Sequence, residues 1–340
     1  MAMRLGQLDN MIAPTVESTC TPRFVLVAFS NDKQPVSLLH RSVEHFKEVK
    51  CGRWCYSLRL LPMVSKDNFF CRIERLRVFL REQCDDSIVL HVDAYDTFLN
   101  APASTMLSLF RQMRTGVVWA VESEYSWQDP ANRSFYDALA DGQGRYRYLN
   151  GGGYIGYARA LRHVMENARY ISKFKGADQM SFSRLFADSC ADTPDGHCQT
   201  WLDYNVTLDY DSRIFYVASG KDWHYKTARE RISSARPCHV HVPWTSSAPN
   251  KRLLHKLFNE SIPADASTTP PSAIAATAAD TSLAWWDLHR GRPFWTPANR
   301  SQVHADALAE QHCHGGPWPE VVGRRSHHSG PNSHAALARS

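Results

Sequence analysis

The feature that most constrains this 340-residue chain is a five-residue apolar run, Ile88-Val89-Leu90-His91-Val92, that stops at a pair of carboxylates in Asp93-Ala94-Tyr95-Asp96. A run that short, closed off by charge, predicts a buried strand, because a helix needs a longer segment. Carboxylates at the C-terminal end of such a strand stand where open α/β sheets take their ligands. Two oxygen donors this close suit a hard divalent cation, and such cations in turn hold phosphates. A strand running into an ordinary Asp-rich turn would look the same locally, so the rest of the chain must decide.

Residues 23–30 (RFVLVAFS) predict a first buried strand. From Pro35 to about Val49, the apolar Val36, Leu39, Val43 and Phe46 keep helical spacing. A second strand is expected near Trp54–Leu61, and a helix over 71–83 with Ile73, Leu76, Phe79 and Leu80 on one face. With the strand before Asp93 the order is β-α-β-α-β, which builds a parallel sheet covered by helices. Met106, Leu109, Phe110 and Met113 mark a further helix, and Val117–Val121 a strand ending at Glu122-Ser123. Residues 22–262 are therefore expected to form one Rossmann-type α/β domain, with a mostly parallel central sheet flanked by helices. Residues 1–21 are expected as an N-terminal tail. Residues 263–340 open on Ala, Thr, Ser and Pro, and are expected as a low-complexity, mostly disordered tail.

A net charge of +5, with basic and acidic residues interspersed, gives nucleic acid no special claim as partner. No segment approaches the apolar length of a membrane span. The first twenty residues lack a signal-like apolar stretch, so a cytoplasmic location is the expectation, with the secretory lumen left open. The Asn-X-Ser/Thr sites at Asn132, Asn205, Asn259 and Asn299 matter only in that lumen. Nine cysteines without a tight pattern announce no disulfide framework. Cys51 and Cys55 are read as thiols, and a Cys190–Cys198 bridge is left open.

Five further features can be placed around one site. Asn150-Gly151-Gly152-Gly153 would let the backbone approach a ligand and aim consecutive N–H groups at an anion, unless it is a hairpin turn. Asp178-Gln179 opens a helix, where free amides and polar side chains can face a sugar or simply cap the helix. Asp209 precedes a short strand, as a catalytic carboxylate or a turn residue. His239-Val240-His241 is read as sending its two imidazoles to opposite sides, so that one of them joins the site. Lys251 and Arg252, in a loop or helix start, suit a phosphate, although such residues are usually just solvated charge.

In their order and wording these pieces resemble the glycosyltransferase domain of the procollagen lysyl hydroxylases, from about Phe24 to Lys251. Here VDAYD is similar to that family's VDSYD, VESEYSW to its AES strand and aromatic segment, and LNGGGYIGYA to LNSGGFIGFA. ADQMSFSRLF likewise resembles DDQLFYTRLY, and LDYDSRIF resembles LDHKSRIF. The resemblance implies a GT-A fold, a UDP-sugar donor and a Mn²⁺ ion held by Asp93, Asp96 and a late histidine. His241 is preferred to His239 because it stands nearer Pro249-Asn250-Lys251, which is similar to the family's Pro-Thr-Lys. Tyr95 matches the tyrosine beside the nucleotide, and Arg72 matches the uridine-side lysine if two residues are missing from the helix–strand loop. Asn150, Gly151, Gly152, Gly153 and Lys251 would line the donor, with Asp178, Gln179 and Asp209 as candidate catalytic residues.

Two departures stand out. The acidic cluster before the family's helix is reduced to Gly176-Ala177-Asp178, and the segment after 262 is too short for a hydroxylase domain. The implied activity is transfer of glucose or galactose from a UDP-sugar to a hydroxyl of a collagen-like protein or a glycan. The rival is a non-catalytic module of the same shape that binds a nucleotide sugar or a protein partner. A phosphohydrolase of the haloacid-dehalogenase type is disfavoured, because its second acid stands two residues after the first rather than three.

Overall fold

The computed structural model describes residues 20–31, 36–63, 69–125, 132–139, 145–171, 178–190, 206–243 and 247–262. Apart from Cys20 and Thr21, the expected tails at 1–21 and 263–340 lie outside these ranges, and the Cys190–Cys198 pairing falls on Cys198, which also lies outside them.

Nine strands are described: β1 (Phe24–Ser30), β2 (Leu58–Pro62), β3 (Ile88–Val92), β4 (Thr97–Leu99), β5 (Val117–Glu122), β6 (Tyr148–Tyr157), β7 (Val206–Leu208), β8 (Phe215–Val217) and β9 (His239–His241). The helices are α1 (Ser37–His45), α2 (Phe69–Arg81), α3 (Ala103–Gln112), α4 (Arg133–Leu139), α5 (Ala158–Ile171), α6 (Asp178–Cys190), α7 (Tyr225–Ala235) and α8 (Ala248–Ser261). The main sheet has the order β2-β1-β3-β6-β5-β7. Only β6 runs against its neighbours, antiparallel to both β3 and β5, while the β1–β2, β1–β3 and β5–β7 pairs are parallel. The sheet is thus mostly parallel, with helices on its faces.

Strands buried on both faces read as continuous apolar runs, which is why FVLVAFS and IVLHV carry no polar alternation. Alternate residues feed two cores. Val25, Val27 and Val89 meet Ile73 and Leu76 of α2, Leu161 of α5 and Phe182 of α6. Phe24, Leu26 and Leu90 meet Leu39 of α1 and Met106 and Phe110 of α3.

The cysteine expectation needs correction. Cys51 and Cys55 are joined across the short 3-10 turn Gly52–Trp54, with their Cα atoms 5.1 Å apart, so they are not thiols. Cys20 is joined to Cys84, Cys71 is also disulfide-bonded, and Cys238 is a buried free thiol. A bridge needs only a local approach of two Cβ atoms, which sequence spacing does not report.

Candidate metal and donor site

A second, small sheet, β4-β9-β8, delivers the histidine to the carboxylates. Strand β4 starts one residue after Asp96, and its first residue, Thr97, pairs with His241, which also pairs with Val217 of β8. The turn between β3 and β4 is tied down on both sides. Thr97 donates its hydroxyl to the Asp93 carbonyl at 2.6 Å, the Asp93 amide donates to the Gly152 carbonyl at 2.9 Å, and the Val242 amide donates to the Asp96 carbonyl at 2.9 Å.

The result is a three-residue cluster in which one potential ligand atom each from Asp93, Asp96 and His241 lies within 4.8 Å of the others. The His241 Nε2 stands 3.6 Å from Asp93 Oδ2 and 3.5 Å from Asp96 Oδ1, too far for good hydrogen bonds, and neither ring nitrogen has a hydrogen-bond partner. Burial disfavours the charged imidazole, but Asp96 and then Asp93 outweigh it and hold the His241 pKa above its ordinary value. Two carboxylates facing a buried imidazole with idle nitrogens form a donor set that fits a divalent cation.

The glycines serve this cluster differently from the expectation. They lie inside β6, and none of Gly151, Gly152 and Gly153 has a positive φ. Trp119 pairs with Tyr154 while the next residue, Ala120, pairs with Asn150, so the three glycines are extra residues bulging out of the β5–β6 ladder. Their amides are not all free for an anion: the Gly151 N–H donates to Gln179 Oε1 and the Gly152 N–H to Asn150 Oδ1, both at 2.9 Å. What matters is the missing Cβ. One on Gly152 would fall 2.4 Å from His241 Cε1 and 2.7 Å from Asp93 Oδ2.

The two imidazoles of β9 are also corrected. Residues i and i+2 of a strand share a face, and the His239 and His241 rings are neighbours, with centroids 6.4 Å apart. Burial holds His239 neutral, its pKa well below the ordinary value, and it packs edge-on to Phe215. Register, not facing, singles out His241, because it is the one paired beside Asp96.

Arg72 of α2 reaches the same rim, with Nη1 3.4 Å from Asp93 Oδ1 and 3.6 Å from Asp178 Oδ2. Asp178, buried at the first turn of α6, has its pKa raised by burial, with Arg72 pulling the other way. Gln179 is held by structure: beyond accepting from Gly151 it donates from Nε2 to Glu122 Oε1 at 2.7 Å. Tyr95 accepts a hydrogen bond from the Asn31 amide at 2.6 Å, fixing its ring beside the end of β1.

Asp209 and Lys251 are not brought into this group. The Asp209 carboxylate accepts three backbone N–H groups, from Arg213, Ile214 and Phe215, at 2.9, 2.7 and 2.7 Å. These bonds close the turn into β8, a structural role for this carboxylate. Lys251 is exposed in the first turn of α8. Sequence reasoning left Glu122 without a role; its signal was a second strand ending in a carboxylate at the edge where Asp93 ends β3.

The fold is a mostly parallel α/β sheet with a metal-type cluster at its strand ends and a helix N-terminus beside it, and the family match makes it a glycosyltransferase-like domain. The chain belongs to the PLOD GT domain family, whose model matches residues 70–247. Human procollagen-lysine,2-oxoglutarate 5-dioxygenase 1 is 30% identical over 151 residues, which is 44% of this chain and 19% of that protein. The human multifunctional procollagen lysine hydroxylase and glycosyltransferase LH3 is 27% identical over 136 residues, 40% of this chain and 16% of that protein. The match therefore spans less than a fifth of these relatives. A crystal structure of a glycosyltransferase involved in the glycosylation of the major capsid of PBCV-1 aligns over 69% of this chain and 100% of its own, with 10% identity and a TM-score of 0.41.

Proposed function

We propose that this domain is a Mn²⁺-dependent glycosyltransferase that moves glucose or galactose from a UDP-sugar to a hydroxyl acceptor. The observation that carries the proposal is the Asp93–Asp96–His241 cluster at the sheet edge, with idle imidazole nitrogens and no room for a side chain at Gly152. A bound divalent ion would neutralise charge on the departing diphosphate. Arg72, lying between Asp93 and Asp178, adds a fixed positive charge at the rim of the donor site. Tyr95 offers a pinned ring for the nucleotide, and Asp178 a carboxylate for the sugar. Asn150 and the three glycines form the floor.

The relatives' names support a collagen-type acceptor; hydroxylysine or galactosyl-hydroxylysine, with a glycan as the other hydroxyl source, completes the proposal. Among the described residues no helix is long and apolar enough to cross a membrane. The disulfides Cys20–Cys84 and Cys51–Cys55 are of the kind that persists in oxidising compartments, which keeps the secretory lumen within the proposal.

The test is UDP release from UDP-glucose and UDP-galactose, with and without Mn²⁺, and with a hydroxylysine-containing collagen peptide as acceptor. Mn²⁺-dependent release that the peptide accelerates is expected. Donor binding without any turnover would instead establish the non-catalytic module, and absence of both would end the proposal.

A further inference from the structure

The three-glycine bulge leaves β6 without a complete β5 partner, and side chains fill the gap. At Gly151 the substitute is Gln179, whose Oε1 accepts the amide at 2.9 Å. Gln179 is itself held from behind by Glu122, the last residue of β5, through a 2.7 Å bond from Nε2 to Oε1. Glu122 is 2% exposed and Gln179 9%. A side-chain amide has one acceptor and one donor end, so fixing both ends fixes its rotamer and its helix turn. Asp178, next to Gln179, faces Arg72, and Gly152, next to Gly151, lies against His241 and Asp93.

We propose that Glu122 is a positioning residue. Through Gln179 it clamps the glycine bulge to the first turn of α6, and so sets where Gly152 stands under the metal cluster and where Asp178 stands beside Arg72. The inference rests on the proposed metal and donor site, which it deepens. It assigns Glu122 no contact with metal or substrate.

Reversing the polarity of the pair provides the test. Gln179→Glu keeps an acceptor for the Gly151 amide but faces Glu122 with a second carboxylate and no donor. Adding Glu122→Gln restores the bond, with the donor now on residue 122. On the full chain, Mn²⁺ affinity in the presence of UDP is read from loss of the free Mn²⁺ resonance, alongside hydrogen exchange of the Gly151 amide and the melting temperature. Gln179→Glu is expected to weaken Mn²⁺–UDP binding about tenfold, the scale on which outer partners of ligands act, and to speed Gly151 exchange. The double variant should recover both.

A double variant as defective as the single one overturns the proposal. So does a Gln179→Glu protein that loses melting temperature alone. If Gln179→Glu fails to fold, Glu122→Ala, which removes the acceptor without adding charge, carries the same expectation and the same refutation. If the unmodified protein binds no Mn²⁺ with UDP, the proposed function falls, and Gly151 exchange then decides separately whether the clamp exists.

Discussion

Gly152 lies so close to His241 that a Cβ on the glycine would stand 2.4 Å from the imidazole Cε1 and 2.8 Å from its Nδ1. Real Cβ atoms do not approach so closely, so one of the two must move. Asp93 Oδ2, 2.7 Å from the same point, blocks relief in that direction. Gly152→Ala is therefore expected to displace the ligands and to cut Mn²⁺ affinity roughly tenfold or more. Overpacking costs about 1–3 kcal/mol, so the protein should remain folded but melt lower. Calorimetric Mn²⁺ titration checks this, and wild-type affinity in the alanine variant would show that Gly152 is not under the site.

The two histidines of β9 should separate cleanly. His241→Ala removes a ligand from the cluster and should abolish measurable Mn²⁺ binding, as should Asp93→Ala or Asp96→Ala. His239 is fully buried with neither ring nitrogen hydrogen-bonded. Replacing an unpartnered buried polar group with an apolar one of similar size is nearly neutral or stabilising. His239→Leu should keep Mn²⁺ affinity and hold or raise the melting temperature. Loss of Mn²⁺ in His239→Leu, with His241→Ala unaffected, would reverse the assignment.

The strand before Asp93, the helix at Asp178 and the carboxylate pair itself were legible because each is a local pattern of apolarity and charge. His241 was preferred to His239 only through the family resemblance, because its physical reason, the pairing of Thr97 with His241, joins residues far apart in the chain. The glycine run was legible as a place of close backbone approach, but not its geometry. Composition says that a backbone comes close to something, but only the β5–β6 register shows that the three residues bulge and that the neighbour is the His241 ring. The hydrogen bonds of Asp209 were not legible for a related reason: a carboxylate that accepts backbone amides looks in sequence like one that meets a substrate.

Asp209→Ala tests that distinction. It leaves the amides of Arg213, Ile214 and Phe215 without their acceptor at the entry to β8. Bonds to a charged group contribute about 1.5–3 kcal/mol each, but they are not additive here, and a total loss on the order of 3 kcal/mol is expected. Because β8 supports β9, weaker Mn²⁺ binding is expected to follow the loss of fold and not to precede it. Below the melting transition, KM for the sugar nucleotide should be unchanged. A folded Asp209→Ala protein with kcat reduced a thousandfold would restore the catalytic assignment.

His91 gives the domain an acid-sensitive stability. It lies on β3, stacked on Tyr154 with centroids 4.5 Å apart, and burial lowers its pKa from 6.5 to about 4, with Asp93 opposing the shift. The folded protein therefore holds this imidazole neutral at a pH where the unfolded chain would protonate it. The stabilisation is complete above pH 6.5 and is lost as the pH falls from there through about 4. At about 1.4 kcal/mol per pH unit, the whole window corresponds to on the order of 3 kcal/mol. His91→Phe keeps a ring against Tyr154 and removes the titration. Urea melts in EDTA at intervals across that window should show a steep loss of stability in the unmodified protein and a shallower one in the variant. Equal slopes would mean that His91 takes up its proton without leaving the fold, and that the acid sensitivity resides elsewhere.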